Sequence, residues 1–151
     1  MCSSDLAIIS APTSRTVNDG TSLTLSVNAI GAAPLSYQWK YNNTNISGAN
    51  GPSYTLNPVS LSNAGSYTVA VSNSAGIAST AAAVISVAPT APTVGGISST
   101  YGRNIPVGAN TELSVPVSGT PTLTYQWKKN GTAIPLATKS DRKSTRLNSS
   151  H

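Results

Sequence analysis

The sequence predicts an all-β protein, one complete antiparallel two-sheet sandwich followed by a truncated second copy of it. Three observations carry this. Tyr37-Gln38-Trp39 returns 88 residues later as Tyr125-Gln126-Trp127, and Gly20, Leu25, Val27 and Gly31 return at the same offset as Gly108, Leu113, Val115 and Gly119. Self-similarity at a fixed period marks tandem copies of one unit. Short runs alternate apolar with polar residues, the period of a half-buried strand, and turn signals separate them. No segment holds a 3.6-residue period, and β-branched residues are frequent, which disfavours helix throughout.

In the first copy, residues 22–29 place Leu23, Leu25 and Val27 on one face against Thr24, Ser26 and Asn28. Residues 35–41 put Tyr37, Trp39 and Tyr41 on one face, and residues 53–57 offer Tyr54 and Leu56. Residues 65–73 alternate Tyr67, Val69 and Val71 with Thr68, Ala70 and Ser72; after the turn Asn73-Ser74-Ala75-Gly76, residues 77–87 close the unit. Five such runs of period two are what a sandwich needs.

At these residues the chain resembles an immunoglobulin-like domain of the intermediate set, of the type found in bacterial surface and secreted proteins. Trp39 stands where that family has its core tryptophan, and Asn63-Ala64-Gly65-Ser66-Tyr67 is similar to its D-x-G-x-Y motif, with Asn in place of Asp. The resemblance implies that Tyr67 forms the tyrosine corner, its hydroxyl bonding back to nearby backbone. It also implies that Val27 and Val69 fill the two positions where the family often has cysteines. A lost cross-link costs about 2–5 kcal/mol and each buried valine returns about 1.5–3, so the exchange is close to neutral. Asn63 removes a carboxylate that the family uses to brace the corner. The resemblance spans residues 7–88 in full and residues 89–140 in part.

The second copy offers strand-like residues 111–118 and 123–129, then a two-residue hairpin signal at Asn130-Gly131 with Ile134 on the returning strand. Counterparts of Tyr54, Tyr67 and Val69 are not recognisable, and half a sandwich leaves an inner face and strand edges open. Between the copies, Ala88-Pro89-Thr90-Ala91-Pro92 is a short Pro-rich spacer.

The two ends read differently. Residues 141–151, DRKSTRLNSSH, match one reading frame of a widely used sequencing adapter, and residues 1–6 resemble its opposite end. Both are expected to be adapter-derived, and residues 141–151 to take no part in either fold: Leu147 is their single large apolar residue, too little to offset an ordering entropy of about 1–2 kcal/mol per residue. Setting the ends aside removes the single Cys and the single His, and leaves six cations and the two acids Asp19 and Glu112, a charge of +4 instead of +5. The cations are scattered, so the pI of about 9.6 points to no particular partner. No apolar run approaches the ~20 residues of a membrane span.

This composition excludes most chemistry. Asp19 and Glu112 lie in different copies, and without His or Cys no nucleophile–base pair, catalytic carboxylate pair or metal-ligand cluster can be assembled. The expectation is therefore no enzyme, no cofactor and no metal. Tyr37, Trp39, Tyr54 and Tyr67 fall on the inward parity and read as core, leaving Tyr101 and Tyr41 as surface rings. Lys128-Lys129 beside Trp127 reads as a solvated strand end and not as a nucleic-acid patch. Asn42, Asn45 and Asn130 open N-x-S/T sequons, acceptors if the source glycosylates them. The reading that fits best is a non-catalytic repeat of a bacterial secreted or cell-surface protein, extracellular, acting as spacer or adhesion module. Its partners would be neighbouring repeats and protein or carbohydrate ligands. The alternative is a spacer or carbohydrate-contacting module of a secreted polysaccharide-active enzyme.

Overall fold

The computed structural model describes residues 5–102, 104 and 106–144. The chain divides into two compact units, residues 1–90 and 91–151, each built from strands.

The first unit has ten strands: β1 (Ala7–Ser10), β2 (Arg15–Asn18), β3 (Leu23–Ser26), β4 (Asn28–Ile30), β5 (Ser36–Tyr41), β6 (Thr44–Asn45), β7 (Ser53–Leu56), β8 (Gly65–Asn73), β9 (Gly76–Ser79) and β10 (Ala83–Ala88). A 3-10 turn, Leu61–Asn63, leads into β8. One sheet runs β2-β10-β8-β5-β6, with β9 also on β8; β3-β7 and β1-β4 build the other layer. β5, β7 and β8 fall where alternation places them, because each buries every second residue between two layers.

Two expected strands are each cut in two. Residues 22–29 split at Val27: its N–H still follows the β3–β7 register to the Pro52 carbonyl at 2.9 Å, and the residues after it turn to β1 as β4. Residues 77–87 split into β9 and β10, and the pairing with β8 slips by one residue between them. Thr80 fills the slip, its N–H reaching the Val69 carbonyl at 3.0 Å and its Oγ1 accepting the Val69 N–H at 3.2 Å. Such a bulge keeps the inner face in phase on both sides of the break. β1 and β2 have no signature in the sequence: each half-buries one residue, Ile8 and Val17. They belong to different layers. β1 pairs antiparallel with β4, and the chain then crosses over so that β2 pairs parallel with β10.

The core lies between the layers. Leu23, Leu25, Val27 and Leu56 from one layer meet Trp39, Tyr67, Val69, Val71 and Ile85 from the other. Trp39 is fully buried, and Val27 and Val69 sit on opposed sheets, as the family spacing requires. The rings of Trp39, Tyr54, Tyr67 and Tyr41 form a chain with successive centroids 6.2, 6.2 and 5.1 Å apart, all tilted, an arrangement that adds about 0.5–1.5 kcal/mol per pair.

The second unit has β11 (Thr93–Val94), β12 (Ser98–Ser99), β13 (Thr111–Ser114), β14 (Val117–Ser118), β15 (Lys128–Lys129), β16 (Thr132–Ala133) and β17 (Asp141–Ser144). Its hairpin repeats that of the first unit bond for bond. Trp127 N–H reaches the Ala137 carbonyl at 3.0 Å and Trp39 N–H the Ala49 carbonyl at 3.0 Å; Ile134 and Ile46 both return to the preceding Trp carbonyl at 2.9 Å. The indole N–H groups donate to Lys139 and Gly51 carbonyls at 2.8 and 2.9 Å. Residues 123–127, expected as strand, lie in no ladder.

β17 corrects the expectation that residues 141–151 stay outside the fold; residues 145–151 lie outside the described residues. β17 pairs Thr111↔Ser144, Glu112↔Lys143, Leu113↔Arg142 and Ser114↔Asp141. In the first unit, β3–β7 pairs Leu23↔Leu56, Thr24↔Thr55, Leu25↔Tyr54 and Ser26↔Ser53, the same register displaced by 88 on both strands. Ladder bonds are made by backbone, so an edge accepts any extended segment delivered at the right distance along the chain. Arg142 and Ser144 therefore occupy the register positions of Tyr54 and Leu56, and the count of missing counterparts drops by one strand.

The interior of this unit is correspondingly poorer. Leu113, Val115 and Trp127 are half-buried, where Leu25, Val27 and Trp39 are buried. Thr111 takes the place of Leu23 and is itself buried, and its hydroxyl bonds nothing among the described residues. An orphaned buried hydroxyl costs about 1–3 kcal/mol. Thr111→Val keeps the shape and removes the orphan, so it should stabilise this unit by about 1 kcal/mol, read as slower amide exchange across residues 111–118.

Candidate interaction surfaces

The tyrosine corner forms as the motif implies. Tyr67 Oη donates to the Asn63 carbonyl at 2.9 Å, from a ring that is 2% exposed. Asn63 replaces the expected carboxylate with its amide oxygen, which accepts from Ser60 N–H at 2.7 Å and Ser60 Oγ at 3.0 Å. The brace is kept without a charge. Burial, reinforced by the neighbouring Tyr41 and Tyr54, pushes the Tyr67 hydroxyl up to about 12.

Tyr41 is no free surface ring. It is half-buried, and its hydroxyl proton is shared between the Ser62 and Ala64 carbonyls at 2.9 and 2.8 Å. Gly65 makes room for it: a Cβ there would overlap the Tyr41 ring. Gly65→Ala should accordingly cost about 1–3 kcal/mol in chemical denaturation, and much less in a Tyr41→Leu background, where the clash is gone. Tyr37 and Tyr54 are half-buried against the core, and Tyr101 is exposed.

The outer face of the larger sheet carries a shallow hollow of about 310 Å³. Ser36, Ala70, Ser72, Lys40, Asn45 and Ile77 line it. Gln38 also lines it, held by two bonds of 2.9 Å from its side-chain N–H groups to the Trp39 and Ile46 carbonyls. Gln126 makes the same pair of bonds to Trp127 and Ile134 at 3.0 and 2.8 Å. This glutamine staples the hairpin from outside while the tryptophan anchors it from inside.

The two acids belong to different units. Asp19 sits beside the Gly20 turn of the first unit, and Glu112 is exposed on β13 of the second. No group of three or more His, Cys, Asp or Glu able to hold a metal exists among the described residues. Lys128 and Lys129 are exposed on β15. Of the sequon asparagines, Asn42 is already used, its Oδ1 accepting the Ser66 N–H at 2.9 Å; Asn45 and Asn130 are exposed. Sequence reasoning missed Leu136, which takes the position of Gly48 at φ 60° against 76° and is 96% exposed. The 88-residue offset would have flagged it, as a non-glycine standing where the first copy has a glycine. Among the described residues no helix is long and apolar enough to cross a membrane.

The immunoglobulin domain family matches residues 7–73. No curated protein matches the chain. Among solved structures, the tandem Ig repeats of Dlar align at TM-score 0.51 and 20% identity, over 55% of this chain and 48% of that one. An I-band fragment of titin aligns at TM-score 0.51 and 23% identity, over 95% of this chain and 56% of that one. Sidekick-1 immunoglobulin domains 1-5 align at 0.51 and 19%, over 85% and 27%. The chain thus spans about half the length of the Dlar and titin structures. With the corner, the buried tryptophan and the two opposed sheets in place, the first unit has an immunoglobulin-like fold, and the fold class is all-β and immunoglobulin-like.

Proposed function

We propose that the chain is a non-catalytic stretch of tandem immunoglobulin-like repeats from a bacterial secreted or cell-surface protein, serving as a structural spacer or interaction module. The observation that carries this is the duplication itself: a hairpin reproduced bond for bond, and a strand register reproduced at an offset of 88 residues, joined by a five-residue Pro-rich spacer. Units repeated at fixed length extend a structure, and their partners are the neighbouring repeats of the same chain together with a protein or carbohydrate ligand at a surface. Residues 1–6 and 141–151 are proposed to be adapter-derived, so that the domains proper are residues 7–88 and 89–140.

A second reading is supported by the hollow over Ser36, Gln38, Asn45 and Ser72, whose hydroxyls and amides suit sugar hydroxyls. In that reading the chain is an accessory module of a polysaccharide-active enzyme. The flanking gene sequence separates the two. Further copies at the 88-residue period are expected; an adjoining catalytic domain, with retardation of this chain in gels containing soluble polysaccharide, would establish the second reading instead. The same nucleotide record should read GAT CGG AAG AGC at Asp141–Ser144, and synonymous departures from it would remove the adapter origin.

A further inference from the structure

We propose that the hollow on the outer face of the larger sheet binds a carboxylate-bearing polysaccharide of the uronic-acid class, with Lys40 as the counter-charge and Lys128 as the equivalent contact in the next copy. The proposal rests on the sugar-binding reading of that hollow and adds the sign of the ligand's charge.

The cations are scattered along the chain, yet they keep the period of the copies. Arg15 and Lys40 return at the 88-residue offset as Arg103 and Lys128, so four of the six cations of residues 7–140 form two pairs. The acids do not return: at that offset Asp19 corresponds to Val107, and Glu112 to Thr24. Arg103 lies outside the described residues; Lys40 and Lys128 lie within them. The other repeated residues of the hairpin have structural duties, since Trp39 and Trp127 anchor it and Gln38 and Gln126 staple it. Among the described residues Lys40 has no such duty. Its cross-strand neighbours are Asn45 and Thr68, and no acid lines the hollow beside it. Lysines also guard open strand edges, but β5 lies between β6 and β8 and has no edge to guard.

Trp39 is buried in the core, so alternation turns Ser36, Gln38 and Lys40 outward in a row. Lys40 is half-buried there, so its charge is less screened than that of a lysine standing in open water. The groups around it are neutral and match sugar hydroxyls: Ser36 and Ser72 are ladder partners, and Asn45 is the partner of Lys40 itself. Gln38 uses its N–H groups in the staple, which leaves its Oε1 as an acceptor held in place. A volume of about 310 Å³ is at the small end for a ligand site, so the hollow takes a short stretch of a chain. One cation among hydroxyls and amides fits a polymer whose carboxylates are separated by neutral hydroxyls. Nucleic acid fits worse, because it presents a phosphate every ~1.7 Å and is held by clustered cations and stacking rings. Tyr37, the one ring in the lining, is packed against the core. The second unit keeps Thr124 for Ser36, Gln126 with the same staple, and Lys128 exposed. A modest contact in each copy suffices, because linked sites hold a polymer with avidity well above that of one site.

The test titrates the whole 151-residue chain calorimetrically with polygalacturonate, and with the same polymer after its carboxyl groups are reduced to alcohols. Saturable binding of polygalacturonate that weakens with added salt is expected, and the neutral polymer should bind at least about tenfold more weakly. Lys40→Ala should weaken the acidic polymer about fivefold, and Lys40→Arg, which keeps the charge, much less. Ser36→Asp, which sets an acid in the hollow, should abolish binding, whereas Lys139→Ala, at a cation outside the hollow, should leave it unchanged. All four positions are outside the core, so circular dichroism should report unaltered folding. Equal binding of the two polymers would overturn the charge assignment and leave the sugar-binding reading standing; binding of neither would end both. An equal loss in Lys139→Ala and Lys40→Ala would reduce the effect to diffuse attraction and overturn the site. Tighter binding of double-stranded DNA than of polygalacturonate at the same salt would assign the lysines to nucleic acid instead.

Discussion

Trp39→Ala should unfold the first unit or bring it close to unfolding. The side chain is fully buried at the centre of the core cluster, so truncation removes its transfer energy and leaves a cavity, about 3–5 kcal/mol together. It also strands the Gly51 carbonyl, which accepts the indole N–H at 2.9 Å. Against a typical total of about 5–15 kcal/mol for a domain, that is a large fraction. Urea titration followed by circular dichroism checks it, with Trp127→Ala as the internal comparison. The second indole makes the equivalent bond, at 2.8 Å, but is only half-buried, so its truncation should cost well under half as much. A Trp39→Ala cost below about 1 kcal/mol would contradict the packing described.

The second large effect is alkaline. In the folded unit the Tyr67 hydroxyl is pushed from its ordinary 10.0 up to about 12, first by burial and then by the adjacent Tyr41 and Tyr54 hydroxyls. Below pH 10 the group is protonated in both states and its contribution is fully present. Between pH 10 and 12 the unfolded chain releases this proton while the folded chain holds it, so stability falls as pH rises. The limiting loss from a separation of this size is about 2–3 kcal/mol. Denaturation midpoints of the full chain at pH 9, 10, 11 and 12 should trace that decline. Tyr67→Phe should start lower, by about 1 kcal/mol for the lost bond to Asn63, and then decline less steeply. Parallel slopes for the two proteins would assign the alkaline transition to other tyrosines.

Much of the sandwich is legible because its central strands are covered on one face only. β5, β7 and β8 bury alternate residues, and a period of two is then unavoidable in the sequence. β1 and β2 are not legible, since each lies near the end of its layer and buries part of one side chain. The break between β9 and β10 is equally silent: Ser79-Thr80-Ala81-Ala82 contains no Gly, Pro, Asn or Asp, yet the pairing with β8 slips by one residue there. The inward parity of Trp39 and Tyr67 was readable from alternation, but the two carbonyls shared by Tyr41 lie 21 and 23 residues away, a distance that local pattern does not reach. β17 was misread for a related reason. Side-chain composition measures how much a segment gains by packing, whereas its place in a ladder is set by how far along the chain it is delivered.

The stapled hairpin also has a bearing on the order of events during synthesis. Its bonds from the tryptophan span at most 12 residues, and hairpins of this kind close in about 1–10 μs. A ribosome adds about 5–20 residues per second, so the hairpin is complete before even one further residue emerges. Each nascent repeat would therefore stand for seconds as a template with one edge open, waiting for its own closing strands. In a tandem array the preceding copy has by then consumed its strands. Vectorial timing alone can thus keep similar neighbours from trading segments.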